Sequence, residues 1–271
     1  MTSDKSILNS IRAVLLDVDG TLWRGGQALP GLGELFALLH ARGIGYRIVT
    51  NSSLQPPRHY RDKLAGFGVT VDDSAILTSA TATGRYLARM LPVGAPVYVI
   101  GETGLLAAVQ QAGMVVVGDA AQPVAAVVVG GDRSLTYTKL KDAVFLLQRG
   151  APLIGTNPDL LVPTAAGLAP ETGVTLAALT AATGVAPTVI GKPAPWLFDV
   201  ALEQLGILPG HALMVGDRLE TDILGGQRAG LRTALVTTGV DSAAAVQIKG
   251  IRPDLVVGDL AELVQRWECD L

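Results

Sequence analysis

The sequence predicts an α/β protein with a Rossmann-like, largely parallel sheet, because apolar β-branched runs alternate with segments of helical period nearly throughout its 271 residues. Polar clusters follow predicted strands near residues 17–20, 50–53, 191–193 and 216–222, and the long stretch between the second and third carries no comparable cluster. That gap implies an α/β segment, residues 80–186, inserted into a discontinuous core of residues 1–79 and 187–271.

Candidate strands run over Ala13–Asp19, Tyr46–Asn51, Val97–Gly101, Met114–Gly118, Ala125–Gly130, Leu153–Thr156, Thr188–Gly191, Ala212–Gly216, Thr233–Thr237 and Asp254–Val257. Between the first two, Leu32, Leu35, Phe36 and Leu39 share one helical face, and Gly43 stops the helix. The longest uncharged stretch, Thr172–Gly191, contains Gly173, Gly184 and Pro187 and therefore reads as a helix, a turn and a strand, not as a membrane span. A helix is expected over Trp196–Leu205, and a last one over Leu260–Trp267, where Leu260, Leu263, Val264 and Trp267 gather on one side.

Composition narrows the function. With 21 Lys+Arg against 24 Asp+Glu the formal charge is −3, which excludes a strong electrostatic footprint for nucleic acid or an anionic membrane surface. At 49% hydrophobic residues and a mean hydropathy of +0.41 the chain can bury one large core or two smaller ones. Met1–Arg12 lacks the apolar run of a secretory signal, and the single cysteine, Cys269, cannot form an internal disulfide, so a reducing, cytoplasmic setting is expected. Asn51-Ser52-Ser53 is then a coincidental glycosylation pattern.

The chemistry concentrates at strand ends. Asp17 and Asp19 sit at i and i+2 in Ala13–Gly20, where extended geometry gives them one face. Asp19-Gly20 alone also suits a turn, but a carboxylate in a buried strand is costly unless paired or metal-bound, and two neighbouring carboxylates repel without a cation. Asp217 ends the strand Ala212–Gly216, at the edge where open α/β sheets bind ligands, with Asp222 five residues on. Asp222 equally suits the first turn of a helix. Lys192 precedes Pro193 and a helix N-terminus, where a cation has the wrong sign for the dipole unless an anion sits there too; the alternative is a solvated surface lysine. Thr50, Asn51 and Ser52 end a strand, as a helix cap or as a cradle of a hydroxyl and backbone N–H groups for phosphate.

Together, Asp17-Val-Asp19-Gly-Thr21, Thr50-Asn51, Lys192-Pro193 and Gly216-Asp217-Arg-Leu-Glu-Thr-Asp222 resemble the four motifs of the haloacid dehalogenase (HAD) superfamily of phosphatases. Leu22-Trp23-Arg24-Gly25, Ile100-Gly101-Glu102, Gly130-Gly131-Asp132-Arg133 and Gly155-Thr156-Asn157-Pro158-Asp159 look like its class IIA, the NagD-like group of 4-nitrophenylphosphatases, phosphoglycolate phosphatases and pyridoxal phosphate phosphatases. The likeness covers about Ala13 to Leu263, with Gly131 departing from the commoner Leu.

The resemblance implies a phosphatase acting on a small phosphorylated metabolite, with Asp17 as nucleophile, Asp19 as acid/base and Lys192 neutralising charge. It implies Mg2+ held by Asp17, the main-chain carbonyl of Asp19 and Asp217, with Asp222 in support. Thr50, Asn51, Ser52 and Lys192 would bind phosphate. Residues 80–186 would be a cap setting specificity, with Asn157 and Asp159 as candidates to reach the leaving group and a homodimer through the cap. A phosphotransferase or phosphomutase sharing the aspartyl-phosphate, a receiver-type phosphoaccepting module and a non-catalytic phosphometabolite sensor are the alternatives; the Asp19 acid/base and the chain length speak against the last two. Trp23 and Trp196 could line the entrance or simply pack, and His40, His59 and His211 are expected at the surface.

Overall fold

The computed structural model describes residues 4–164 and 166–268, so Cys269 lies outside the described residues. The chain folds as two compact units: Met1–Thr50, Tyr60–Leu77 and Lys192–Leu271 form the first, and Asn51–His59 with Thr78–Gly191 the second.

The first unit is built on a six-stranded sheet in the order Leu255–Val257, Arg232–Val236, Ala212–Gly216, Ala13–Leu16, Gly45–Thr50, Ile76–Thr78. The pairings from Leu255–Val257 across to Gly45–Thr50 are parallel, with Ala13 opposite both Ala212 and Gly45. Ala13–Leu16 and Ala212–Gly216 are buried on both faces, which is why they read as unbroken apolar runs. Helix Leu32–Ala41 buries Leu32, Leu35, Phe36, Leu38 and Leu39, and the last helix, Leu260–Glu268, buries Leu260, Leu263, Val264 and Trp267 in the same core. Each side chain buried this way contributes roughly 1.5–3 kcal/mol.

The expected strand Ala13–Asp19 is shorter than the sequence suggests. It ends at Leu16; Asp17 makes one more sheet bond, donating its N–H to the Val215 carbonyl, and then the chain turns, with the N–H groups of Leu22 and Trp23 both reaching the Val18 carbonyl. Asp17 and Asp19 therefore do not share an environment: Asp17 is buried and Asp19 exposed. Gly20, at φ 87°, makes this turn. A two-stranded ribbon, Trp23–Arg24 with Gln27–Ala28, follows; strands of two residues are too short to show a period.

The second unit has a five-stranded parallel sheet in the order Thr188–Val189, Leu153–Gly155, Ala126–Val129, Pro96–Ile100, Val115–Val117. Thr172–Gly191 folds as anticipated into a helix, Thr172–Thr183, a left-handed Gly184 and a short strand. An antiparallel hairpin, Leu161–Thr164 with Gly167–Pro170, exposes Leu160, Leu161 and Leu168. The unit is larger than residues 80–186 because Asn51–His59 also bonds into it: the Asn51 carbonyl accepts from Ser79 Oγ (2.6 Å) and Asn157 Nδ2 (2.8 Å), Ser53 Oγ from the Gly131 N–H (2.9 Å), and the Leu54 carbonyl from the Gly104 N–H (3.0 Å). Among the described residues no helix is long and apolar enough to cross a membrane.

Candidate active site

The two central strands of the first unit bring the acidic motifs together. Leu16 lies opposite Val215, so Asp17 and Asp217 emerge at the carboxyl edge of adjacent parallel strands. Lys192 is only 2% exposed, and its Nζ contacts Asp17 Oδ1 at 2.5 Å and Asp222 Oδ1 at 2.7 Å, with the Val49 carbonyl at 3.3 Å. Three N–H bonds of the ammonium thus have three acceptors. The surface-lysine alternative is excluded; Asp222 does lie in the first turn of a helical segment, as its alternative had it, and pairs with Lys192 as well.

Asp222 reaches this position from a five-residue turn of π-helix, Leu219–Ile223, separated from the Ala212–Gly216 strand by Asp217 and Arg218. Its Oδ2 accepts the Arg218 N–H at 3.1 Å, so both oxygens are engaged. Gly216 makes room: a Cβ there would lie 2.4 Å from the Asp222 carboxylate. Asp217 is held at one oxygen only. Its Oδ2 accepts the Val240 N–H at 2.7 Å, whereas buried Oδ1 has no hydrogen-bond partner among the described residues.

Charge at this centre does not balance. Carboxyl oxygens of Asp17, Asp217 and Asp222 lie within 4.8 Å of one another, with the one ammonium of Lys192 set against three acidic groups. Burial pushes Asp17 well above the ordinary carboxylate range; Lys192 opposes this, and Asp222 and Asp217 add to it. Asp217 is pushed up to about 7, by burial first and by repulsion from Asp222 second. For Lys192 burial alone would favour the neutral amine, but Asp17 and Asp222 outweigh it and keep the ammonium charged. A partnerless buried oxygen in a cluster of hard carboxylate donors fits a divalent cation such as Mg2+, which takes oxygen ligands and would relieve the repulsion.

Asp19 stands apart from this cluster. It is exposed, and its Oδ1 accepts the indole N–H of Trp23 at 3.0 Å. Surrounding protein raises its pKa above the ordinary value, against the Lys63 ammonium and the Trp23 N–H, which lower it. Trp23 therefore packs and also bonds: it is 1% exposed, stacked on Tyr60 at 6.3 Å and tilted against Phe67. Trp196 is half-buried, and His40, His59 and His211 are exposed.

The proposed phosphate-binding residues divide between the units. Thr50, buried, ends the strand beside Ala13–Leu16 in the first unit, whereas Asn51 and Ser52 belong to the second. There Asn51 Nδ2 donates to Asp159 Oδ2 at 2.9 Å, and the Asp159 N–H donates to Asn157 Oδ1. Asn157 is 1% exposed and ties Thr172 Oγ1 and the Asn51 carbonyl together, so within its unit it is structural.

Sequence reasoning missed Asp241. It is buried; its Oδ2 accepts the Leu219 N–H (2.7 Å), its own N–H donates to the Asp217 carbonyl (3.0 Å), and Lys249 pairs with Oδ1 at 2.7 Å. It braces the loop that carries Asp217 and Asp222. The available signal was positional, since residues 237–241 follow another strand at the same sheet edge.

A parallel-sheet core with a buried Asp–Lys–Asp centre and a third aspartate beside it, at the carboxyl ends of the strands, marks the place where open α/β folds bind their ligands. Comparison with known proteins agrees. Residues 14–115 match the family model described as haloacid dehalogenase-like hydrolase, and residues 189–263 match a second, HAD-hydrolase-like model. An acid sugar phosphatase of Staphylococcus aureus is 36% identical over 96% of this chain and 100% of its own length. The 4-nitrophenylphosphatase of Thermotoga maritima superposes with a TM-score of 0.90 at 34% identity, covering 96% of this chain and 98% of that one. A glycerol phosphate phosphatase of Mycobacterium tuberculosis, solved in complex with magnesium, superposes with a TM-score of 0.88 at 33% identity, covering 96% and 78%. The chain belongs to the haloacid dehalogenase-like hydrolases, as a class IIA, NagD-like phosphatase.

Proposed function

We propose that the protein is a Mg2+-dependent phosphatase of small-molecule phosphate monoesters working through an aspartyl-phosphate. The observation that carries the reading is the buried centre in which Lys192 bridges Asp17 and Asp222 while Asp217 keeps an oxygen without a partner.

Phosphate monoesters resist hydrolysis because an anionic nucleophile must approach an anionic phosphoryl group. Asp17 attacks phosphorus, the ester P–O bond breaks, and the departing oxygen takes a proton from Asp19. In the second half Asp19 accepts a proton from water, the water oxygen attacks phosphorus, and the bond to Asp17 breaks, releasing phosphate and the free carboxylate. Lys192 offsets charge on Asp17 and the phosphoryl oxygens. Asp222, bonded at both oxygens, orients Lys192 instead of serving as a free ligand. Asp17, Asp217 and the main-chain carbonyl of Asp19 are the residues that would hold Mg2+, which when bound would supply further charge neutralisation. Thr50, Asn51 and Ser52 are the residues proposed to bind phosphate.

The substrate class is a small phosphorylated metabolite, and the second unit is the proposed cap that selects it, with Asn157 and Asp159 supporting the segment that carries Asn51. The relatives' sugar, glycerol and nitrophenyl esters set the first panel to try. Pairing of two copies through the second unit is supported by the exposed apolar hairpin. The test is phosphate release from this panel, without any acceptor, in Mg2+ and in EDTA. Acceptor-free, Mg2+-dependent release is expected. Turnover only with an acceptor alcohol, or turnover indifferent to EDTA, would overturn the proposal.

A further inference from the structure

The geometry points to Trp23 as a positioning residue for the proton-transferring carboxylate of Asp19, an inference that rests on the acid/base reading above. Asp19 lies beyond the end of its strand, where the main chain turns through Gly20, and an exposed carboxylate at such a place rotates freely unless something holds it. Trp23 Nε1 holds it, at 3.0 Å from Oδ1. Because an indole N–H can only donate, the oxygen facing it must act as acceptor, which leaves Oδ2 as the oxygen that gives and takes the proton.

The indole is itself fixed on every side that a ring offers. Tyr60 and Phe67 lie against it at centroid separations of 6.3 and 6.0 Å, and Lys63 Nζ sits 4.3 Å from the ring centroid. Lys63 Nζ also donates to the Gly25 carbonyl at 2.8 Å, and the Arg24 guanidinium bonds the Thr238 carbonyl, so the ribbon carrying Trp23 is pinned at two further points. The Gly20 N–H donates to the Trp23 carbonyl at 2.8 Å, closing a short ring of main-chain and side-chain bonds around Asp19. A tryptophan needed only for burial would not require its one polar atom to meet this carboxylate.

The test uses the Mg2+-loaded enzyme and a series of esters from 4-nitrophenyl phosphate through phenyl phosphate to glycerol phosphate, comparing kcat/KM. A good leaving group departs without a proton, whereas an alkoxide needs one, so a misplaced acid is felt in proportion to leaving-group basicity. Trp23→Phe is expected to lower kcat/KM about tenfold on glycerol phosphate and less than about twofold on 4-nitrophenyl phosphate, a fraction of what general acid–base catalysis typically supplies. Asp19→Asn is the reference and should show the same trend more steeply. Where it does and Trp23→Phe lowers all esters equally, the positioning role is overturned and the acid/base reading stands. Where Asp19→Asn itself shows no leaving-group trend, the acid/base reading fails and takes the inference with it. If Trp23→Phe does not fold, replacement of Trp23 by benzothienylalanine keeps the shape and removes only the donor, and it must give the same trend. Independently of activity, the Trp23 indole N–H resonance, assigned by its loss in Trp23→Phe, should shift in Asp19→Ala; an unchanged resonance would show that the bond is not formed.

Discussion

The two units of the molecule solve the same architectural problem with opposite strand-end chemistry. Both are parallel sheets with apolar central strands that end in loops of small and polar residues. In the first, the loops after Ala13–Leu16 and Ala212–Gly216 deliver Asp17, Asp217 and Asp222 around one lysine, leaving carboxylates buried in excess. In the second, the corresponding positions after Ala126–Val129 and Leu153–Gly155 hold Gly130, Gly131, Thr156 and Asn157, where the Gly131 N–H donates to Ser53 Oγ and the Asn157 amide to the Asn51 carbonyl and Thr172 Oγ1. Its buried carboxylate Asp132 has a lysine partner, Lys139, at 2.6 Å. The sheet provides the edge; the residue types placed on that edge decide whether it stores uncompensated charge for chemistry or satisfies itself for stability.

The strongest way to break this contrast is Asp17→Asn. If the first unit's charge excess serves nucleophilic attack, turnover should fall by on the order of 10⁴-fold or more with the fold intact, measured as single-turnover phosphate release. Normal turnover in this variant would refute the nucleophile assignment.

Lys192→Met tests the energetic side. Removing the only ammonium from a cluster of buried carboxylates should cost roughly 3–5 kcal/mol of stability in EDTA, read from chemical denaturation, because the acids are left without their partner. A stability unchanged within error would mean that the acids are already protonated or solvated.

A pH series sharpens the point. The Asp217 carboxyl is raised to about 7 in the folded chain, against an ordinary aspartate in the unfolded one, so the native state binds a proton more tightly. The Asp217 contribution to stability in EDTA should therefore be fully present below the ordinary aspartate range and be lost as pH rises toward and through 7. Mg2+ should offset the decline at pH 8, and Asp217→Asn should flatten it. Melting temperatures of both proteins across pH 4–8 check the sign; a slope unaffected by the substitution would locate the effect elsewhere.

The smallest effect is expected in the second unit. Asn157→Ala removes donors to the Asn51 carbonyl and Thr172 Oγ1 and should cost about 1–3 kcal/mol, the usual penalty for a buried partner left unbonded. Its effect on 4-nitrophenyl phosphate turnover should be far below that of Asp17→Asn. A comparable loss would mean that Asn157 takes part in the chemistry.

The sheet's central strands and the helices Leu32–Ala41 and Leu260–Glu268 were legible because burial on two faces or on one stripe leaves a continuous or periodic apolar pattern along the chain. The strand Ile76–Thr78 and the ribbons at Trp23–Ala28 and Leu161–Pro170 were not among the expected strands; the ribbons lie largely exposed and leave no continuous apolar run. Asp17 and Asp217 were legible for a different reason, since each interrupts or ends an apolar run, whereas Lys192 and Asp222 had ordinary local alternatives and were singled out by the resemblance of the combined motifs to a known family.

Residue type and local pattern, being properties of neighbours along the chain, settled on their own that this is an α/β protein with acidic strand-end motifs, and the resemblance of those motifs to a known family implied a phosphatase. Which oxygen of Asp217 stays without a partner, that Asp222 faces Lys192, that Trp23 holds Asp19 and that Asn51 bonds into the second unit were decided only by folding. Apart from Trp23 and Asp19, which are four residues apart, those contacts join residues whose separation along the chain bears no relation to their separation in space. They depend on sheet register and on where each turn releases the chain, quantities that no short stretch of sequence contains.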